Sequence, residues 1–393
     1  MNAVAIVCEY NPLHTGHVYH MREAKKACNA NTVIGIMSGF FVQRAEPAVV
    51  SPSVRAKAAI GCGMDAVLEM PVVFSCAAGE LFARGAIDCL ARIRGINYLA
   101  MGVEDDPALL LRIAEIQTQE NVVYRKELQR HLDNGLPYAA ATTSATAAVI
   151  GEKERTQCEA ALRKPNNVLA VEYVKALYRR NLSAQPVFIP RQGNGYNDTD
   201  TNGTYISATA ARALLQEGDT EKLRPYIPRD CLQELRKEYE THRIRSDIYN
   251  ALSVYALRTR NIAEAFDACE GIDKRLADCA KQYASLDEII TAAKSKRYTF
   301  SRIRRICLQT LLGITKETMQ HADGAAARLL AVKNTRKDLL RDLTGVAVRN
   351  TDYAALGNDA LYVAQTDAMA GSIYALLTSR NGNLFWDRQL FTE

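Results

Sequence analysis

Val7-Cys8-Glu9-Tyr10-Asn11-Pro12-Leu13-His14-Thr15-Gly16-His17-Val18-Tyr19-His20 is the stretch that decides the fold. The apolar run 3–7 leads into it. That run is short and partly β-branched, which predicts a buried strand. Asn11-Pro12 breaks the strand. Gly16 lets the backbone turn tightly, and residues 18–27 have helix composition. The expected unit is strand, turn and helix, with two histidines at the turn.

Such a turn points to phosphate. The first amides of a helix lack internal partners and carry the positive end of the dipole, so an anion is favoured there. His14 and His17 flank Gly16 as His-x-Gly-His, where imidazoles can donate to phosphoryl oxygens as charge builds up. Two plainer readings stand beside this one. The histidines can cap the helix, or two His three apart can share a metal. No nearby carboxylate or Cys spacing completes a zinc site, so no metal ligand is assigned. His20, one turn on, reads equally as a packed helix residue.

Strands and helices then alternate. Residues 32–37, 65–70 and 96–101 read as strands, the first opening at Ser38-Gly39 and the last ending at Gly102-Val103-Glu104. Ser51-Pro52 and 79–93 read as a helix start and a helix. The fold class is therefore α/β, a parallel sheet with right-handed crossovers, and ligands are expected outside the strands' carboxyl ends. Residues 107–134 read as one long helical stretch, and 168–180 as an amphipathic helix after Pro165-Asn166-Asn167. Residues 187–189 read as a final strand ending at Arg191, whose guanidinium has the geometry of a phosphate fork. The Gly/Asn/Asp/Thr-rich segment 192–203 reads as a loop suited to closing over a substrate. It leads into Ser207, Thr209 and Arg212, a second helix start with phosphate-type chemistry, or an ordinary N-cap.

Two prolines near 224–228 predict a boundary between a domain of residues 1–224 and one of 225–393. Beyond it, 247–258, 262–269, 286–293, 299–312, 325–330 and 367–377 all read as helical. That region has 25 lysines and arginines against 21 acids. Its densest cluster is 294–305, with Lys294, Lys296, Arg297, Arg302, Arg304 and Arg305, no acid, and Tyr298 and Phe300 interleaved. Phosphate backbones want that charge and unpaired bases stack on aromatics, so an RNA face is expected. The plain alternative is a solvated helix face.

Composition sets outer limits. The 393 residues are 48% hydrophobic, ample for a large core, and carry a net charge of +5. No run of 18 apolar residues occurs, so no membrane helix is expected, and no signal peptide is visible. The ten cysteines are scattered without Cys-x-x-Cys, which fits buried thiols and a cytoplasmic location.

The string Glu9-Tyr10-Asn11-Pro12 through His20, with Met37-Ser38-Gly39, Gln43-Arg44 and Glu46-Pro47-Ala48, resembles the bacterial tRNA(Met) cytidine acetate ligases. These are a branch of the His-x-Gly-His nucleotidyltransferase superfamily. Pro165-Asn166-Asn167-x-Leu169, Ser-x-Thr-x-x-Arg at 207–212, and Lys-Arg-Tyr-Thr at 296–299 extend the resemblance over nearly the whole chain. It implies a Rossmann-like nucleotidyltransferase sheet followed by a mainly helical tRNA-binding domain. It implies that ATP and acetate give acetyl-adenylate, whose acetyl group passes to the wobble cytidine of elongator tRNA(Met) as N4-acetylcytidine. By resemblance His14 and His17 are catalytic. Val7, Glu9, Tyr10, Asn11, Pro12, Gly16, His20, Ser38, Gly39, Gly102, one of Asn166 and Asn167, Arg191, Ser207, Thr209 and Arg212 bind ATP. Mg²⁺ is expected on the triphosphate. Two other readings are a nucleotidyltransferase acting on a small phosphorylated metabolite, and a binding module without catalysis.

Overall fold

The computed structural model describes residues 2–192 and 205–381, and the backbone of 390–392. Five strands run parallel: β1 (Ala3–Cys8), β2 (Thr32–Ser38), then, after a hairpin of β3 (Phe41–Val42) and β4 (Glu46–Pro47), β5 (Ala66–Met70), β6 (Ile96–Val103) and β7 (Gln185–Pro190). Further along the chain come β8 (Ala327–Lys333), β9 (Val346–Ala347) and β10 (Leu390–Thr392). The order across the sheet is β10-β8-β5-β2-β1-β6-β7. The Rossmann-like α/β fold is therefore present.

β1 sits in the middle, with β2 on one side and β6 on the other. The chain turns first one way from β1 and later the other, so the crevice lies at the carboxyl ends of β1 and β6. Alternation along each strand supplies both faces of the sheet. Val4, Ile6, Cys8, Val33 and Met37 pack with Met21, Ala24 and Ile60. Ala5, Ile34, Ile36, Leu68 and Leu99 pack with Phe82, Ile87 and Val174 on the other side. A period of two buried on both faces is what a parallel sheet under two helix layers requires.

Four sequence expectations need correction. Residues 325–330 are not helical; they run into β8, antiparallel to β5. Ala-Ala-Ala-Arg-Leu-Leu-Ala-Val has helix propensity, but the open edge of β5 offers a full ladder, and tertiary pairing overrides propensity. Arg328 of β8 meets Glu69 of β5 at 2.6 Å with both side chains buried. The sheet thus draws strands from both sides of residue 225, and 187–189 is not its last. The stretch 107–134 is two helices, Pro107–Gln119 and Val122–Asp133, parted at Glu120 with φ +44°. Of 262–269 only the single 3-10 turn Ile262–Glu264 is helical.

Candidate active site

The helix Thr15–Ala27 begins at the end of β1, and His14 is its N-cap. His14 Nδ1 accepts the Gly16 amide at 3.2 Å, and His17 Nδ1 accepts the His14 amide at 3.2 Å. The two rings stack with centroids 3.7 Å apart. Both Nδ1 atoms are thus spent on capping the helix. With each Nδ1 accepting, a neutral ring carries its proton on Nε2, which remains a donor. Both rings are neutral. Burial, with Arg191 nearby, pushes His14 down to about 3. Burial, then His14, Arg191 and His20, holds His17 well below the usual range. Burial and Arg191 push His20 down to about 4, with the Met101 carbonyl pulling the other way.

The expected free amides are absent from this turn. Thr15 N–H donates to Tyr226 O at 2.7 Å, Gly16 N–H to His14 Nδ1, and the His17 and Val18 amides to His14 O at 2.9 and 3.2 Å. The helix dipole still favours an anion, but the donors that can reach it are side chains. Arg191 and Arg212 supply two guanidiniums to the same cleft as the imidazoles. Arg212 donates to Asn11 O at 3.0 Å and to Thr209 Oγ1 at 3.3 Å, and lies 3.7 Å from Glu46. This ties the late helix start to the early turn.

The cleft has an empty volume, including its open part, of about 1490 Å³. Val7, Glu9, Tyr10, Asn11, His14, Gly16, His17, His20, Gly102, Asn166, Arg191, Ser207, Thr209 and Arg212 all line it. Four buried polar atoms of lining residues, Tyr10 Oη, Asn11 Nδ2, His20 Nε2 and Glu46 Oε1, have no hydrogen-bond partner among the described residues. Such atoms suit a polar ligand. A Cβ on Gly16 would lie 3.0 Å from the His14 ring, and one on Gly102 3.3 Å from Arg191, so both glycines leave room for site side chains. Ser207 Oγ also caps its helix by accepting the Ala210 amide at 3.0 Å.

Four expected residues lie outside the lining. Pro12 follows Asn11 in the turn without facing the cleft. Ser38 and Gly39 present their carbonyls to Arg55, which is 2% exposed, and a Cβ on Gly39 would collide with Glu69 Oε1. Asn167 is fully buried; it accepts the Glu104 amide and donates to Asp105 and Ala161 O, locking β6 to the helix Pro165–Arg180. Asn166 is therefore the one of the pair at the cleft. Of the closing-loop expectation at 192–203, residues 193–203 lie outside the described residues.

The sequence reading left several lining residues unassigned. Gln43, Arg44 and Glu46 line the cleft, and all three stood inside the quoted motif. Tyr19 and Leu169, each inside a quoted string, line it too, as do Phe82, Tyr173 and Tyr205, which no local signal marks.

The basic cluster is less uniform than its sequence suggests. Arg302 meets Glu270 at 2.9 Å, Arg305 meets Asp267 at 2.9 Å, and Arg297 lies 3.7 Å from Glu270. These acids arrive from outside 294–305, which a local count of charge cannot reveal. Tyr298 is only 8% exposed and donates its hydroxyl to Glu270 O, so its ring is not offered for base stacking. Lys294, Lys296, Arg297, Arg304 and Phe300 are exposed.

The neutral histidines have a consequence for stability. Unfolded, each takes a proton near pH 6.5; folded, His14 does so only near 3 and His20 near 4. Between those values the unfolded chain binds more protons, so stability rises with pH there and is lost on acidification below about 6.5. Each ring contributes up to about 1.4 kcal/mol per pH unit. Urea unfolding at pH 7 and pH 5 is expected to show a smaller loss for His14→Ala/His17→Ala than for the unsubstituted chain.

A tRNA(Met) cytidine acetate ligase of Caldanaerobacter subterraneus is 35% identical over 348 residues, 87% of this chain and 86% of that protein. One of Clostridium kluyveri is 32% identical over 392 residues, 96% of this chain and 95% of that protein. The crystal structure of Thermotoga maritima TmcAL bound with alpha-thio ATP superposes with a TM-score of 0.92 at 27% identity, covering all of both chains. Its apo form gives 0.94 at 28% identity, again over both whole chains. The HIGH Nucleotidyl Transferase family matches residues 1–384, and with the paired imidazoles set at the switch point of the sheet, the chain belongs to that family.

Proposed function

We propose that the protein is an ATP-dependent ligase that activates acetate as acetyl-adenylate and acetylates the wobble cytidine of elongator tRNA(Met). The observation that carries this reading is the placing of two neutral Nε2–H imidazoles and two guanidiniums on one cleft. Acetate attack on the α-phosphate puts charge on its non-bridging oxygens and releases pyrophosphate. Fixed donors in a water-poor site stabilise that charge without reorganising. Neutral donors avoid an ion pair that would hold the ground state equally well. Arg191 and Arg212 hold the phosphates that leave. The apolar wall of Phe82, Leu169 and Tyr173 accommodates a base. Mg²⁺ accompanies the triphosphate; among the described residues no three His, Cys, Asp or Glu side chains gather to hold a metal. Names of relatives over almost the whole length, and a neighbour that binds an ATP analogue, support the same reading.

Labelled acetate, ATP and tRNA incubated with the pure protein should place label on tRNA cytidine. RNA without label, under conditions where a relative succeeds, rejects the reading. A small-molecule nucleotidyltransferase is the second reading; it has no use for the exposed cations of 294–305.

On the ligase reading, Lys296 and Arg304 face RNA while Arg302 and Arg305 brace their own fold. Lys296→Glu/Arg304→Glu is expected to weaken tRNA binding and to lower the slope of log affinity against log salt by about 2. Filter binding at several salt concentrations checks this. Adenylate formation should be unchanged, since neither residue lines the cleft.

A further inference from the structure

We propose that Glu9 is the general base of acetyl transfer, taking the proton that leaves the exocyclic amine of cytidine; the assignment rests on the acetyl-adenylate reading above. Transfer from adenylate to amine needs a proton acceptor. His14 and His17 lack one, having committed their Nδ1 lone pairs to backbone amides, and hold hydrogen on Nε2. His20 lies one helical turn further on, where burial and Arg191 oppose its protonation. Among the described residues the cleft lining then holds two carboxylates, Glu9 and Glu46. Glu46 lies 3.7 Å from the Arg212 guanidinium.

Glu9 differs from it in position and bonding. It follows Cys8, the last residue of β1, at the switch point and beside the turn that carries both imidazoles. One oxygen, Oε1, accepts the Gln43 amide at 2.8 Å. The other has no hydrogen-bond partner among the described residues, and the side chain is half-buried at the cleft surface. Arg55 from the helix Pro52–Gly61, Arg212 from the helix Ala208–Glu217, Glu46 of β4, and the Cys8 and Cys76 thiols are the titratable groups around it. Burial pushes the carboxyl up, while the Gln43 amide, Arg55 and Arg212 draw it back. A base serves best with its affinity for protons moved toward the working pH.

The step balances. The amine lone pair attacks the acetyl carbonyl carbon and a C–N bond forms. The amine proton passes to the free oxygen of Glu9. The acyl C–O bond to phosphate breaks, and AMP leaves with the electron pair. Glu9 then returns the proton to water.

Glu9→Gln keeps the shape and the acceptor for Gln43, and removes only the basic oxygen. Acetate-dependent ATP–pyrophosphate exchange reads the first half-reaction, and single-turnover transfer of labelled acetyl to tRNA reads the second. The ratio of transfer to exchange is expected to fall by about 10²-fold or more. The acidic limb of the transfer-rate profile should vanish in Glu9→Gln and persist in Glu9→Asp. The proposal is overturned if exchange and transfer fall together, if transfer is unaffected, or if Glu46→Gln gives the same selective loss. An unsubstituted protein without acetate-dependent exchange overturns the adenylate reading, and this assignment with it.

Discussion

Replacing His14 and His17 together with alanine is expected to lower acetate-dependent ATP–pyrophosphate exchange by about 10³-fold or more, with tRNA affinity nearly unchanged. One pre-set donor to a developing oxyanion contributes about 10²–10³ in rate. Here two act on the same charge, so their effects are not independent and the double variant defines the total. The first-turn amides cannot replace them, because all four are taken by His14 and Tyr226. The substitution also removes the cap, which costs about 1 kcal/mol in stability. Exchange is therefore measured well below the melting range, alongside tRNA binding. A double variant as active as the parent would reject catalysis by these rings and favour a binding module. Histidine also titrates near neutrality elsewhere, yet the exchange rate should show no imidazole limb between pH 5 and 8, since His14 protonates only near pH 3.

Arg55→Met is expected to destabilise the fold by about 3–5 kcal/mol, since several buried carbonyls lose a charged donor at once. The Arg55 guanidinium is fully inside the protein. It donates to Glu9 O at 2.6 Å, Ser38 O at 3.0 Å, Val50 O at 3.2 Å and Gly39 O. Those carbonyls belong to the loops that leave β1 and β2 and to the segment before the helix Pro52–Gly61. A methionine fills the volume but satisfies none of them, and four carbonyls lose their donor in a dry place. The midpoint of urea unfolding checks this; an unchanged midpoint would show that water or another donor takes over. Activity should fall with stability, because Glu9 and the histidine turn hang on the same bonds.

Much of the candidate site was legible because it is local. His14, Gly16 and His17 fall within four positions, and a strand before them places them at a sheet end. Ser207, Thr209 and Arg212 form a helix start that reads the same way. Asn166 and Asn167 show the limit. They are neighbours of identical type, but helix rotation aims one at the cleft and the other into the interior. Ser38 and Gly39 show another: they serve a buried arginine and a buried carboxylate rather than a ligand.

The basic cluster and β8 failed for a shared reason. Glu270 and Asp267 neutralise part of 294–305 from outside the window, and β5 recruits 327–333 from about 260 positions away. Periodicity and local charge carry no record of such partners. By itself the sequence determined the strand–turn–helix unit, the parallel α/β class and the residues of the histidine turn, because backbone propensity and a short motif act over a few positions. Only the tertiary structure decided which amides the turn leaves free, which asparagine reaches the cleft, which cations stay unpaired and which strand closes the sheet, because each of these depends on a donor or an edge supplied by a distant part of the chain.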